Sequence, residues 1–558
     1  MPRENPIARA ALAVLTSAVV LLGLASFDPP AAAKAAASPS APVAPPDGVN
    51  ASGEPFRGTT ADGQVRGYAD LHSHLMSYEA FGGSLMCGKP FDERGVEEAL
   101  RDCADHGKDG SLAWFENFVS KGSPVGTHDT TGWPTFKDWP SQGSLTHQQA
   151  YYTWVERSWR AGQRILVNHL VANRTLCDIY PLKKYGCDEM DSIRLQAKRM
   201  RELETYVDGQ SGGPGKGWFR IVQNPAEARG VIAQGKLAVV LGVETSEPFG
   251  CRQIGGWPQC TKKQIDDGLD EMQRLGVASM FVCHKFDNAL CGVRFDGDAT
   301  GVILNLGNFL GSGRFWQADT CVRPEHDNEI TPSNDLTDLL AGPLAHLRPL
   351  GITLPVYPKA PHCNIRGLTD LGAHMVKGMI QRGMIVEIDH MSVKAAERTL
   401  SILEEAKYPG VVSSHSWMDM GYAGRIYRLG GMIASYGHAA DGFVGEWREA
   451  KKARDPGRFF GYGYGLDANG MGALPPARKN NQDNPVRYPF TSPVDPNVTL
   501  DRAQTGLRTW DYNAEGVANY GLVPDWIADM RNVAGDEIIT DMSRGAEAYL
   551  RMWESARD

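Results

Sequence analysis

The chain has 558 residues, 42% hydrophobic and 22% charged, which suffices for one large barrel or two to four ordinary domains around a packed core. Its formal net charge is −9 and no basic cluster interrupts the sequence, so a nucleic-acid partner is excluded as the reading of its charge. All 10 cysteines follow the N-terminal apolar run, and an even count in an exported chain points to disulfides.

Arg3 and Arg9 precede the run AALAVLTSAVVLLGLASF, and small residues follow. This pattern predicts a secretory signal over residues 1–33, cleaved near Ala33, and a secreted or periplasmic protein. The run is near spanning length, so an uncleaved anchor is the alternative. After cleavage no stable membrane insertion is expected. Residues 34–50 read as a Pro/Ala-rich linker, and residues 51–558 as one barrel with a C-terminal helical tail.

The strand-like stretch YADLHSHLM, residues 68–76, places His72 and His74 on one face. By itself a His-x-His is weak evidence. Residues 77–160, rich in Trp, Gly and Pro, form a long insertion after this strand. The next strand, LVNHLVAN, carries His169, which reads as a core histidine. NPAEARGVIAQG opens with Asn224 as N-cap and Pro225 at the first helical position, and KLAVVLGVE follows as a buried strand. TKKQIDDGLDEMQRLG opens with a Thr261/Gln264 capping box and leads into VASMFVCH. A second insertion, residues 285–365, follows this fourth strand. Two further helix–strand units end on VEIDH and VVSSH. Eight candidate strands end near His74, Ala172, Glu244, His284, His390, His415, Tyr436 and Asp467. Near-continuous apolar strands alternating with helices predict an α/β fold, a (β/α)8 TIM-type barrel with long insertions after strands 1 and 4. A doubly wound open sheet is the alternative, but no glycine-rich dinucleotide fingerprint supports it. The closing helix, DMSRGAEAYLRMWE, is expected on the barrel's outside.

Six of these strand ends carry a metal-binding or acid–base residue: His72/His74, Glu244, His284, His390, His415 and Asp467. In a barrel they converge on one mouth. Imidazole and carboxylate without thiolate suit a zinc-like ion. Glu244 is the natural bridge between two ions, and a water shared by two ions becomes a nucleophile near neutral pH. Asp467, in the glycine-rich turn GYGYGLDANG, fits a proton carrier. His106, His128, His147, His326, His346, His362, His374 and His438 lack a strand-end context and are assigned no role. Near-neighbour cysteines suggest the pairs 87–103, 177–187, 251–260 and 283–291, leaving Cys321 and Cys363, although spacing alone does not fix connectivity. Cys251 and Cys260 are expected to stiffen the loop beyond Glu244.

Together these stretches resemble the membrane (renal) dipeptidase family of the amidohydrolase superfamily. VLGVE at 240–244, MFVCHKFDN at 280–288, VEIDHMS at 386–392, VVSSHS at 411–416 and YGLDANG at 464–470 carry the resemblance, with GRIYRLGGMIASY at 424–436 more loosely. It implies that His72, His74 and Glu244 hold one divalent ion, and that Glu244, His390 and His415 hold another, zinc being expected for both. It also implies that His284 polarises the scissile carbonyl, that Asp467 shuttles the proton, and that Arg425, with Arg428 as fallback, faces a substrate carboxylate. The family has His-x-Asp on the first strand, where this chain has His72 and His74; the swap removes one negative charge from the site.

The implied function is an exported binuclear metallohydrolase in which a metal-bridging hydroxide attacks an amide bond. The expected substrate is a dipeptide or short peptide with a free C-terminus. The alternatives are another amide or ester substrate, such as a lactone or N-acyl amino acid, and a silent binding protein on the same barrel. Oligomeric state is left open.

Overall fold

The computed structural model describes residues 48–121, 125–330, 355 and 357–558. The signal segment, most of the linker and residues 331–354 of the second insertion lie outside them. Eight parallel strands form the core: β1 (Tyr68–Ser73), β2 (Gln163–Ala172), β3 (Leu237–Thr245), β4 (Val277–Phe281), β5 (Ile385–Glu387), β6 (Val411–Ser413), β7 (Met432–Tyr436) and β8 (Gly463–Gly465). They pair in sequence, β8 pairs with β1, and the ring closes into a barrel. A ninth strand, Phe219–Val222, pairs with residues 237–240 of β3, below the point where β4 joins the same edge at Leu241.

Period-2 geometry explains the burial. In β3 every residue is buried, because Ala238 and Val240 face the barrel interior while Leu237, Val239, Leu241 and Val243 face the surrounding helices. The interior layer draws Leu71, Val167, Ala278, Ile385, Val412 and Ala434 from other strands. The helices that separate the strands include α1 (Pro225–Ala233), α2 (Lys262–Leu275), α3 (Asp370–Gln381), α4 (Val393–Glu405), α5 (Ala423–Leu429) and α6 (Ala440–Ala453). Asn224 caps α1, with Pro225 at its first turn. At the start of α2 both halves of the Thr261/Gln264 capping box are present. Thr261→Ala should therefore cost about 1 kcal/mol, read as a lower urea midpoint with an unchanged slope.

The C-terminal helix α7 (Gly545–Ser555) corrects one expectation. It does not lie on the barrel's outside; Ala546, Tyr549, Leu550, Met552 and Trp553 join the same apolar cluster as the interior-facing strand residues. Tyr549 and Trp553 of α7 pack in one cluster with Leu71, Ile385 and Val412, and α7 also rests on α1. All ten cysteines pair: 87–103, 177–187, 251–260, 283–291 and 321–363. Among the described residues no helix is long and apolar enough to cross a membrane.

Candidate metal centre

The C-terminal ends of the strands deliver the side chains. His72 lies on β1 with His74 just beyond it, Glu244 is the penultimate residue of β3, and His284, His390, His415 and Asp467 each lie two or three residues past their strands. The loops carrying them are pinned. The Cys283–Cys291 disulfide closes the turn after His284, and the Cys251–Cys260 disulfide closes the loop after Glu244. The backbone N–H of Ala289 donates to the carbonyl of Cys251, joining the two loops. Asn288 ties its own turn down further, donating to the carbonyls of Ser246 and Val282.

Glu244 is the centre of the cluster. Its Oε2 lies 3.5 Å from His72 Nε2 and 3.3 Å from His74 Nε2. Its Oε1 lies 3.5 Å from His284 Nε2 and 3.3 Å from His390 Nε2. The two carboxylate oxygens thus face two different histidine pairs. His415 Nε2 is 2.8 Å from His390 Nε2, and His72 Nε2 is 3.0 Å from His74 Nε2. Asp467 Oδ1 sits 3.1 Å from His74 Nε2 and 3.8 Å from His72 Nε2.

Several features suit this cluster to cations. Nitrogen lone pairs this close repel unless a proton or an ion lies between them. Three of the outer nitrogens are held by the protein: His74 Nδ1 meets the carbonyl of His169 at 2.8 Å, His72 Nδ1 meets Ser414 Oγ at 3.0 Å, and His415 Nδ1 meets Asp389 Oδ2 at 3.2 Å, whereas Nδ1 of His284 and His390 has no hydrogen-bond partner among the described residues. Such outer partners leave Nε2 directed inward, the arrangement typical of metal-ligating histidines. Glu244 Oε1 is buried and makes no hydrogen bond among the described residues. Two groups of ligand atoms close enough to hold a cation meet at Glu244: His72, His74 and Glu244 form one, and Glu244, His284 and His390 the other, with His415 beside His390.

Burial shapes the electrostatics. It pushes His284 down to about 3 and holds His72 and His390 well below the ordinary histidine range, so all three are neutral. Burial also acts on His74, but hydrogen bonds to Asp467 and Glu244 outweigh it and raise that group to about 10. His415 is raised too, Asp389 overcoming the effect of burial. Glu244 is held well below the usual carboxylate range: burial opposes its charge, and the histidines turned toward its two oxygens outweigh that cost.

Backbone strain collects at the same place. His390 and Asp467 adopt φ of 63° and 53°, in the left-handed region that non-glycine residues rarely use. Glycine is required at two neighbouring positions. A Cβ on Gly465 would lie 2.1 Å from the carbonyl oxygen of Ser414 and 3.0 Å from His72 Cβ. One on Gly470 would lie 1.7 Å from Asp467 Oδ1. The glycines in YGLDANG let the strand pass between the histidines and let the aspartate fold back over them.

Arg425 is the sequence-predicted residue that the structure does not bring to the cluster. It lies on α5, where its guanidinium is held by Glu404 at 2.7 Å and Glu397 at 2.9 Å on α4. Arg428, on the same helix, is exposed. Helical periodicity turns both away from the mouth, which a count of residues past His415 does not reveal. A cation beside the centre is Lys285, whose Nζ lies 3.0 Å from Asp296 Oδ1 and 4.9 Å from the centroid of the Trp417 ring. Its charge contributes to the lowering of both His284 and His390. Position directly after His284 was the available signal for it. Asp389, which positions His415 and precedes His390, was also missed, although it stands in the quoted stretch VEIDHMS. His169 is a core residue as expected, buried, stacked on His72 and 3.0 Å from Glu387 Oε1.

No family model and no curated protein matches the chain. Solved structures with a similar architecture include dipeptidases and amidohydrolases. One is an amidohydrolase from Pseudomonas aeruginosa, 12% identical over 72% of this chain and 91% of that one, with a TM-score of 0.39. Another is the dipeptidase AC, a metallo peptidase of family M19, 12% identical over 72% and 88%, with a TM-score of 0.40. A third is a metallo peptidase from Rhodobacter sphaeroides, liganded with a phosphinate mimic of the dipeptide L-Ala-D-Ala. It is 11% identical over 80% and 97%, with a TM-score of 0.41. Likeness at this level is one of chain path, and the chemistry rests on the side chains themselves.

Proposed function

We propose that the protein is an exported binuclear metal-dependent hydrolase that cleaves an amide bond in a short peptide with a free C-terminus. The observation that carries this reading is Glu244, whose two oxygens each face a separate pair of histidines. Divalent ions held there, zinc being the expected metal, would supply Lewis acidity and acidify a water. Five paired disulfides support export.

The chain's own residues do the rest. Asp467, partly open to solvent above His74, takes a proton from the attacking water and returns it to the leaving nitrogen. His284, neutral and at the rim, offers Nε2–H to the oxygen that gains charge as the carbonyl is attacked. Lys285, in place of Arg425, meets the substrate carboxylate beside the Trp417 ring.

The test is a panel of dipeptides, with free and amidated C-termini, given to metal-loaded protein. Free peptides should be preferred. Lys285→Met should erase most of that preference, costing about 1.5–3 kcal/mol in kcat/KM as for a hydrogen bond to a charged group. Arg425→Met should leave it intact. Equal cleavage of free and amidated peptides would move the protein to the wider amide and ester hydrolases, acting on a lactone or an N-acyl amino acid. The histidine at position 74, where the resembled family has aspartate, favours that second reading. Absence of turnover from a metal-loaded protein would leave a binding protein.

A further inference from the structure

The insertion after β1 brings together four residues far apart in sequence: His106, Glu116, His128 and His147. His147 Nε2 lies 2.9 Å from His128 Nε2, and its Nδ1 lies 3.0 Å from Glu116 Oε2. The three rings pack edge to face, with centroids 4.6–5.4 Å apart. One ligand atom each from Glu116, His128 and His147 lies within 4.8 Å of the others, and the same holds for His106 and His147. Cys103 also falls within that distance, but its sulfur is in the disulfide with Cys87 and offers no thiolate.

The outer hydrogen bonds decide which nitrogens can bind. Glu116 Oε2 accepts from the backbone and hydroxyl of Thr146, both at 2.8 Å, and from His147 Nδ1–H. The proton on Nδ1 leaves His147 Nε2 as a lone pair. His106 Nε2–H donates to the carbonyl of Leu85 at 3.0 Å, which leaves Nδ1 as its lone pair. That Nδ1 is fully buried and has no hydrogen-bond partner among the described residues. A carboxylate or carbonyl that fixes the tautomer from outside is the usual second support of a metal-ligating histidine. Gly110, at φ +76°, lets the His128 ring pack against the backbone, since a Cβ there would lie 2.2 Å from His128 Nδ1.

We propose that Glu116, His128 and His147, whose ligand atoms all lie within 4.8 Å of one another, form a separate binding site for one zinc-like divalent cation, with the unpartnered Nδ1 of His106 buried beside His147. Nitrogen donors with a nearby carboxylate and no thiolate suit that class of ion. The 2.9 Å separation of the two Nε2 atoms is a few tenths short of the ~3.3 Å edge of a tetrahedron with zinc–nitrogen bonds, so a small rotation of the half-buried His128 admits the ion. The site's task is structural. Gln148 and Gln149, directly after His147, hold Asn469, two residues past Asp467. A cation here would clamp the insertion at the point where it braces the proposed acid–base turn.

The test uses the mature protein with its disulfides intact, stripped of metal by a chelator and titrated with zinc. Metal content is measured for the wild type, His147→Asn, His128→Asn and Glu244→Gln. Each of the first two variants should bind one zinc fewer than the wild type. Glu244→Gln should still bind one, and adding His128→Asn to it should remove that ion. A zinc-dependent rise in Tm in the Glu244→Gln background, lost in the double variant, is the readout independent of turnover. If His128→Asn and His147→Asn, folded by circular dichroism, bind as much zinc as the wild type, the site does not exist and the histidines form only a hydrogen-bonded core. That result would leave the centre at Glu244 untouched, just as failure of Glu244→Gln to lose metal would leave this site standing.

Discussion

Asp467→Asn is expected to keep its metal and lose about 100-fold to 10,000-fold in kcat, the range of a general acid–base group. The substitution preserves shape, so the turn that holds φ at 53° and the close approach of Gly470 are unchanged. It removes only the ability to take a proton 3.1 Å from His74 Nε2. KM should move little, because the proposed carboxylate contact is made by Lys285, in the loop after β4. Elemental analysis beside steady-state kinetics checks both halves. Near-normal turnover would remove Asp467 from the chemistry, and loss of metal would make it a ligand instead.

Glu244→Gln should be more damaging. An amide offers one acceptor oxygen where the carboxylate offers two, and it removes the negative charge that lies within 3.5 Å of His72, His74, His284 and His390. Both ions of the proposed centre should bind far more weakly. Lewis-acid assistance is worth several kcal/mol, so turnover should fall by about three decades or more at ~1.4 kcal/mol per decade. The side chain is buried, so circular dichroism must show that the barrel persists. A folded Glu244→Gln protein that retained both ions and full turnover would end the bridging reading.

The barrel and its mouth were legible in the sequence because both are written in local patterns. Apolar runs such as KLAVVLGVE are read directly by the period-2 rule, and each ends where the sheet's face opens. His72, Glu244, His390 and His415 therefore declared themselves by position at the ends of their runs, and the short cysteine spacings suggested four of the five disulfides. The side-chain environments that surround these residues were decided only by the tertiary structure. Arg425 shares a stretch with the right sequence context, but the turn of α5 gives it to Glu397 and Glu404. The closing helix reads as an amphipathic surface element, yet its aromatic face packs into the apolar cluster of the strands. His106, His128 and His147 carry no periodic signal. They sit in an irregular insertion whose path is set by the Cys87–Cys103 disulfide and by long-range hydrogen bonds, and only folding brings their rings together.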